Sequence, residues 1–204
     1  TVSVLYWWPY LMRSTGIQRK VFELRTYDIV PQRFAEYAKL TGDLFHLRTA
    51  HSKLCGFWVT EIGGQNQVVH IWEYDSLTHR KSVREALAAD TKWVSEYLGP
   101  ARSMFAKQDN VLMVADDITQ EKANQQMFYH LAIGRNLTTP AGNDVERCAS
   151  FRTVLGGTEG LTVQLHRAGD LDTLLGGVQD SAGARDTKLL MPAPFLASHG
   201  LPWS

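Results

Sequence analysis

Between Val21 and Ala115 the chain alternates two hydrophobic periods in a fixed order, and that order restricts the fold more than any other feature. Val21 to Ile29 (VFELRTYDI) alternates apolar and polar residues, the period of a half-buried strand. Pro31 suits a first helical turn, and Phe34, Tyr37, Ala38 and Phe45 follow as an apolar stripe at helical spacing. Phe57 to Ile62 and Val68 to Tyr74 predict two more strands around the turn Gly63-Gly64-Gln65-Asn66. Asp75 or Ser76 caps a second helix through Leu77, Val83 and Leu87, with a break near Asp90 and a continuation towards Tyr97. Pro100 marks a further short segment, and Val111 to Ala115 is a fourth strand. The order β-α-β-β-α-β is ferredoxin-like. Both helices of such a unit lie on one face of its sheet, so the other face needs a cover, most simply a second sheet.

The later residues offer that cover. Met127 to Gly134 echoes the first strand, Ser150 to Gly157 echoes Gly56 to Gly64, and Leu161 to Arg167 echoes the hairpin's return strand. Asp170-Leu171 matches Ser76-Leu77, and Lys188 to Pro192 matches Asn110 to Val114. The offset between copies shrinks from 106 to 94 to 78 residues, so the second copy has lost material between its strands. Leu137 to Arg147 is too short for a full first helix, and Leu174 to Asp186, rich in Gly, Ala and Asp, is a poor second one. The expectation is an α+β fold in three parts: an aromatic arm at 1–20, a ferredoxin-like module at 21–116 and a degenerate second module at 117–204.

Charge separates along the same division. Residues 1–108 hold fourteen Lys and Arg against ten Asp and Glu, and residues 109–204 hold seven against eleven, giving +4 and −4. Opposite signs suit halves that dock on each other or on complementary partners. No basic run tracks a phosphate backbone, which argues against nucleic acid as a partner. Cys55 and Cys148 lack metal-ligand spacing and read as buried small hydrophobes of a reducing compartment. The sequence starts at Thr1, as after removal of a targeting peptide or in a chain given in part. Val2 to Met12 is too short to span a bilayer and is broken by Pro9. Its Tyr6, Trp7, Trp8 and Tyr10 suit an arm docked on protein, or a membrane surface.

Chemistry-bearing residues concentrate in the first module. Glu61 and His70 flank the hairpin turn and are expected close together across it, as an acid–base pair or an ordinary cross-strand pair. Trp58 and Trp72 are expected on adjacent strands, lining a pocket or filling the core. Arg25 and Tyr27, with Glu23, form a polar stripe expected to face solvent or an interaction partner. His46 and His51 lie five apart, without the spacing of a zinc motif. His130 falls in a strand of the second copy. Nucleophile elbows, phosphate loops and dinucleotide fingerprints are absent from the sequence.

The runs Phe22-Glu23-Leu24-Arg25-Thr26-Tyr27, His46 to Leu54 and Gly56-Phe57-Trp58 resemble the NIPSNAP family. So do His70 to Arg80, Val83 to Ala88 and Trp93, and the likeness thins after Asp116. The resemblance marks His46, His51, Trp58, Glu61, His70, Trp72 and Arg80 as family-motif positions. It implies paired modules packed as a dimeric α+β barrel, a mitochondrial location, and roles in quality control and protein scaffolding without an agreed catalytic reaction. The expected function is therefore a non-catalytic scaffold or accessory subunit within a larger protein assembly, without a cofactor. The alternative is a haem-binding or cofactor-independent oxygenase-type protein, by analogy of fold, using the cavity inside the barrel with His51, His70 or His130 as ligand or base.

Overall fold

The computed structural model describes residues 19–119, 127–138, 144–156, 159–178, 183–199, 201 and 203. The aromatic residues Tyr6, Trp7, Trp8 and Tyr10 lie outside them. Strand β1 is Val21–Ile29, and a tight turn at Pro31–Arg33 opens helices α1 (Phe34–Leu44) and α2 (His46–Thr49). The hairpin β2 (Lys53–Ile62) and β3 (Gln67–Tyr74) leads to α3 (Leu77–Ala89), a wide π-type turn at Trp93–Leu98 and α4 (Gly99–Arg102). Strand β4 runs from Phe105 to Ile118, well beyond both ends of the expected fourth strand. Beyond it come β5 (Phe128–Gly134), β6 (Glu146–Leu155), β7 (Thr162–Ala168), α5 (Leu171–Val178) and β8 (Ala184–Pro192).

Local chemistry explains the boundaries. Ser76 Oγ accepts from the backbone N–H of His79, which makes it the cap of α3. Asp90 is extended and ends α3, and its carboxylate accepts from Trp93 N–H to start the next turn. Gly63 at φ 98° and Asn66 at φ 54° supply the left-handed backbone of the β2–β3 turn.

The eight strands close into one barrel in the order β1-β3-β2-β8-β5-β7-β6-β4, every pairing antiparallel. Each half of the chain contributes four consecutive staves in the same relative order, and β2–β8 and β4–β6 are the seams between halves. Irregularities fall at like places. β2 slips against β3 between Leu54 and Gly56 and against β8 between Thr60 and Ile62. β6 slips against β7 between Arg147 and Ala149, and against β4 between Thr153 and Leu155. Cys55 and Cys148 therefore sit at matching bulges.

The barrel encloses a packed core, not a channel. Phe22, Leu24, Trp58, Val69, Ile71 and Met113 meet Tyr129, Leu131, Phe151, Val163, Leu165 and Leu190 there, each at most 2 % exposed. Burial pushes the Cys55 and Cys148 thiols of this core up to about 12, as expected of inert buried thiols. Three of the four strand matches read from the sequence are one residue out. Phe57 faces the helices whereas Phe151 lies inside the barrel, and the true counterpart of Phe151 is Trp58. A side-chain period of two turns a one-residue slip into a change of face.

Outside the barrel wall, α1, α3 and the π-type turn cover β1 and β3 with a second core that includes Tyr37, Phe45, Val83, Leu87, Trp93 and Tyr97. The chain end joins this layer: Ala193 N–H donates to Phe57 O, and Phe195 packs against Tyr37 and Phe57. Trp203 instead enters the barrel core, its indole N–H donating to Thr119 O.

Candidate functional site

The helix-covered face of the first half carries an organised polar site. Because Phe22 and Leu24 fill the barrel, the odd-numbered residues of β1 must point to the opposite side. Glu23, Arg25 and Tyr27 therefore lie under the helices and not on a solvated or docking face as expected, and Glu23 is fully buried. On β3 the same parity aligns His70, Trp72 and Tyr74 beside them, with Arg25 directly opposite His70.

Glu23 is the hub. Its carboxylate accepts from Arg80 at 2.6 and 3.2 Å, from Asn110 Nδ2 at 2.6 Å, from Tyr74 OH at 3.2 Å and from Arg25 at 3.3 Å. Desolvation alone would raise its pKa, but the hydrogen bond from Arg80, the charge of Arg25 and the Asn110 amide hold it well below the usual carboxylate range. An anion so tightly held is a poor proton acceptor. Arg25 also donates to Tyr27 OH at 2.6 Å.

Arg48 is 4 % exposed and has no carboxylate in ion-pair reach among the described residues. It donates to Ser52 Oγ at 2.5 Å and Tyr74 OH at 3.1 Å, and its guanidinium lies 3.8 Å from the Trp72 ring centre. Burial lowers its pKa. His70 stacks on Phe57 at 4.9 Å and accepts at Nδ1 from Trp72 Nε1–H at 2.6 Å. Burial, followed by the charges of Arg25 and Arg48, pushes its pKa far below the ordinary imidazole value, so the ring is neutral. Indole nitrogen only donates, so the His70 proton sits on Nε2, which has no partner among the described residues.

Between these strands and the helices lies a cavity of about 490 Å³. Arg25, Arg48 and His70 line its floor, and Tyr27, Tyr37, Trp72, Trp93 and Tyr97 its walls. The exposed Arg84 and Arg102 line it on the solvent side, with Gln108 and Asp109 from β4.

The other expected site residues scatter. Trp58 faces the barrel core, on the opposite side of the sheet from Trp72. Glu61 is exposed at a bulge of β2, and His70 is paired with Phe57, so the acid–base pair across the hairpin does not form. His46 is exposed, and His51 bonds Asp90 at 3.0 Å away from the cavity. Arg80 faces the site through Glu23. His130 lies on the outer face of the second half, 6.2 Å from His166 between ring centres. A ligand chamber inside the barrel is thus replaced by one outside its wall, because large apolar side chains fill the interior. No cluster of three metal-ligating side chains occurs among the described residues. Sequence reasoning missed Arg48, Arg84 and Arg102. Arg48 sits inside the quoted His46 to Leu54 run, but a lone Arg in a helix gives no spacing signal.

Comparison with known proteins follows the same division. Residues 22–119 match the family model described as NIPSNAP. Protein NipSnap homolog 3B of Mus musculus is 43% identical over 89 residues, covering 43% of this chain and 36% of that protein. Protein NipSnap homolog 3A of Homo sapiens is 38% identical over 113 residues, covering 54% and 46%. The chain thus spans less than half the length of these relatives. A crystal structure of a putative monooxygenase from Fusobacterium nucleatum superposes with a TM-score of 0.60 over 86% of this chain and 93% of its own, at 8% identity. That likeness is one of fold alone.

Proposed function

Because the chain belongs to the NIPSNAP family through residues 22–119, we propose that it is a non-catalytic protein that binds a small molecule under the helices of its first half. The 490 Å³ cavity, floored by buried Arg48 and His70 and walled by aromatic rings, carries this reading. Its size falls in the range of ligand sites, and convergent polar groups within apolar walls are their usual make-up. The candidate acid–base groups are already committed: Glu23 to its cations, and His70 to a neutral form. Native mass spectrometry of protein from its own source should show a non-covalent occupant lost on denaturation. Ala88→Trp, at the lining of the cavity, should abolish it. A protein that carries no occupant, with no change of Trp72 or Trp93 emission on addition of aromatic small molecules, would sink the reading.

A second reading concerns the setting. The NIPSNAP resemblance supports a mitochondrial accessory or scaffolding role within a larger assembly. Leu171 and Leu175, one turn apart on α5 and 44% and 59% exposed, favour protein contact there. Co-purification from mitochondria with mild detergent tests it, and a lone species would argue against it. We further read residues 117–204 as a degenerate second module fused in one chain, which the shared strand order and matching bulges support.

A further inference from the structure

The cavity lining carries four arginines, Arg25, Arg48, Arg84 and Arg102, against one acidic side chain, Asp109. Its buried polar floor offers hydrogen-bond donors: the guanidinium groups of Arg25 and Arg48 and the Nε2–H of neutral His70. Two of these atoms, Arg25 Nε and His70 Nε2, are buried without a partner among the described residues. A buried donor left unpaired is costly, so an acceptor that either side chain can turn to meet recovers what the unpaired state forgoes. Charge points the same way. Glu23 is already matched by Arg80 and Arg25, which leaves Arg48 as a buried cation stacked on Trp72 with neutral partners alone among the described residues. Arg84 and Arg102 extend the positive field to the solvent side, where Asp109 is the acidic lining residue. The walls are flat rings.

We propose that the chamber takes a small organic anion with a flat apolar body, an arylcarboxylate being its simplest form, held through its carboxylate by Arg25, Arg48 and His70. The planar guanidinium fork matches a carboxylate in two places, and rings stack against the aromatic walls. This inference rests on the small-molecule reading above and adds the sign of the ligand.

Three probes of one shape separate the two claims: 2-naphthoate, 2-naphthalenemethanol and 2-naphthylmethylamine, each titrated by calorimetry and tryptophan emission. The naphthoate should bind about tenfold tighter than the alcohol, in keeping with a charge-assisted hydrogen bond, and the amine weakest. Arg48→Met should erase that preference while leaving alcohol affinity within about twofold, since uniform packing is retained. Arg84→Gln with Arg102→Gln, both exposed and safe for folding, should weaken naphthoate about threefold at low salt. Equal binding of acid and alcohol, a preference for the amine, or a preference untouched in both variants would overturn the inference while leaving the chamber reading intact. Binding of none of the three would remove both.

Discussion

The two halves of the barrel share an inner face and differ on the outer one. Inside, Trp58 answers Phe151, Cys55 answers Cys148 and Ile71 answers Leu165. Outside, β1 and β3 present Glu23, Arg25, His70, Trp72 and Tyr74 in a connected network beneath α1 and α3. At the same outer face β5 and β7 present His130, Gln164 and His166, packed against α5. There the nitrogens of His166, His130 Nδ1 and Gln164 Oε1 are buried without a partner among the described residues. Side chains that must interlock in a common interior constrain both halves together, whereas each outer face answers only to its own cover. The first half carries a connected polar site on that freedom. The second buries polar side chains that lack partners among the described residues.

The shared interior makes the largest prediction. Trp58→Ala and Phe151→Ala should each cost about 3–5 kcal/mol, and both should lower one cooperative transition seen by calorimetry. Two separable transitions would show that the halves are not one folding unit. The outer faces should diverge next. Glu23→Leu strands Arg80 and Arg25 and should cost about 3 kcal/mol, while His166→Leu removes no partnered group and should be neutral or stabilising in urea melts. Equal losses would erase the distinction. Acid sharpens it: burial holds His166 at about 4, below an ordinary imidazole, so the unfolded chain takes up the proton first as pH falls. Stability from this site is whole above about pH 6.5 and should fall by roughly 2–3 kcal/mol towards pH 4, a slope that His166→Leu flattens. The smallest contrast is at the caps. Ser76→Ala should cost about 1 kcal/mol, and Asp170→Ala, which also loses a bond to Thr173 N–H, somewhat less because α5 buries little.

Much of the framework was legible because strand parity and turn chemistry are local. Val21 to Ile29 is read to the residue, and Ser76, Asp90 and the Gly63 turn fall where their chemistry places them. β4 is read short because Lys107, Gln108, Asp109 and Asn110 are polar, and only pairing with β1 reveals them as strand. The site was half visible. Arg25, Tyr27, His70 and Trp72 are all noticed, but a period-two pattern gives two faces without saying which one the helices cover. That choice depends on β8 and β6 closing the ring, a long-range fact. Trp58 was misplaced for the same reason, and Glu61 because a bulge shifts the register beside it.

Gly56 shows how narrowly that interior is fitted. A methyl group at this position would stand 2.2 Å from the Trp58 ring, so the indole can fold back over the strand only because nothing is there. Closure of the ring has one more effect. Every strand is paired on both sides over part of its length, so one-sided backbone is confined to overhangs such as residues 105–111 of β4 and 184–188 of β8. A strand from another molecule thus meets short polar overhangs in place of a full edge, whatever the two outer surfaces go on to become.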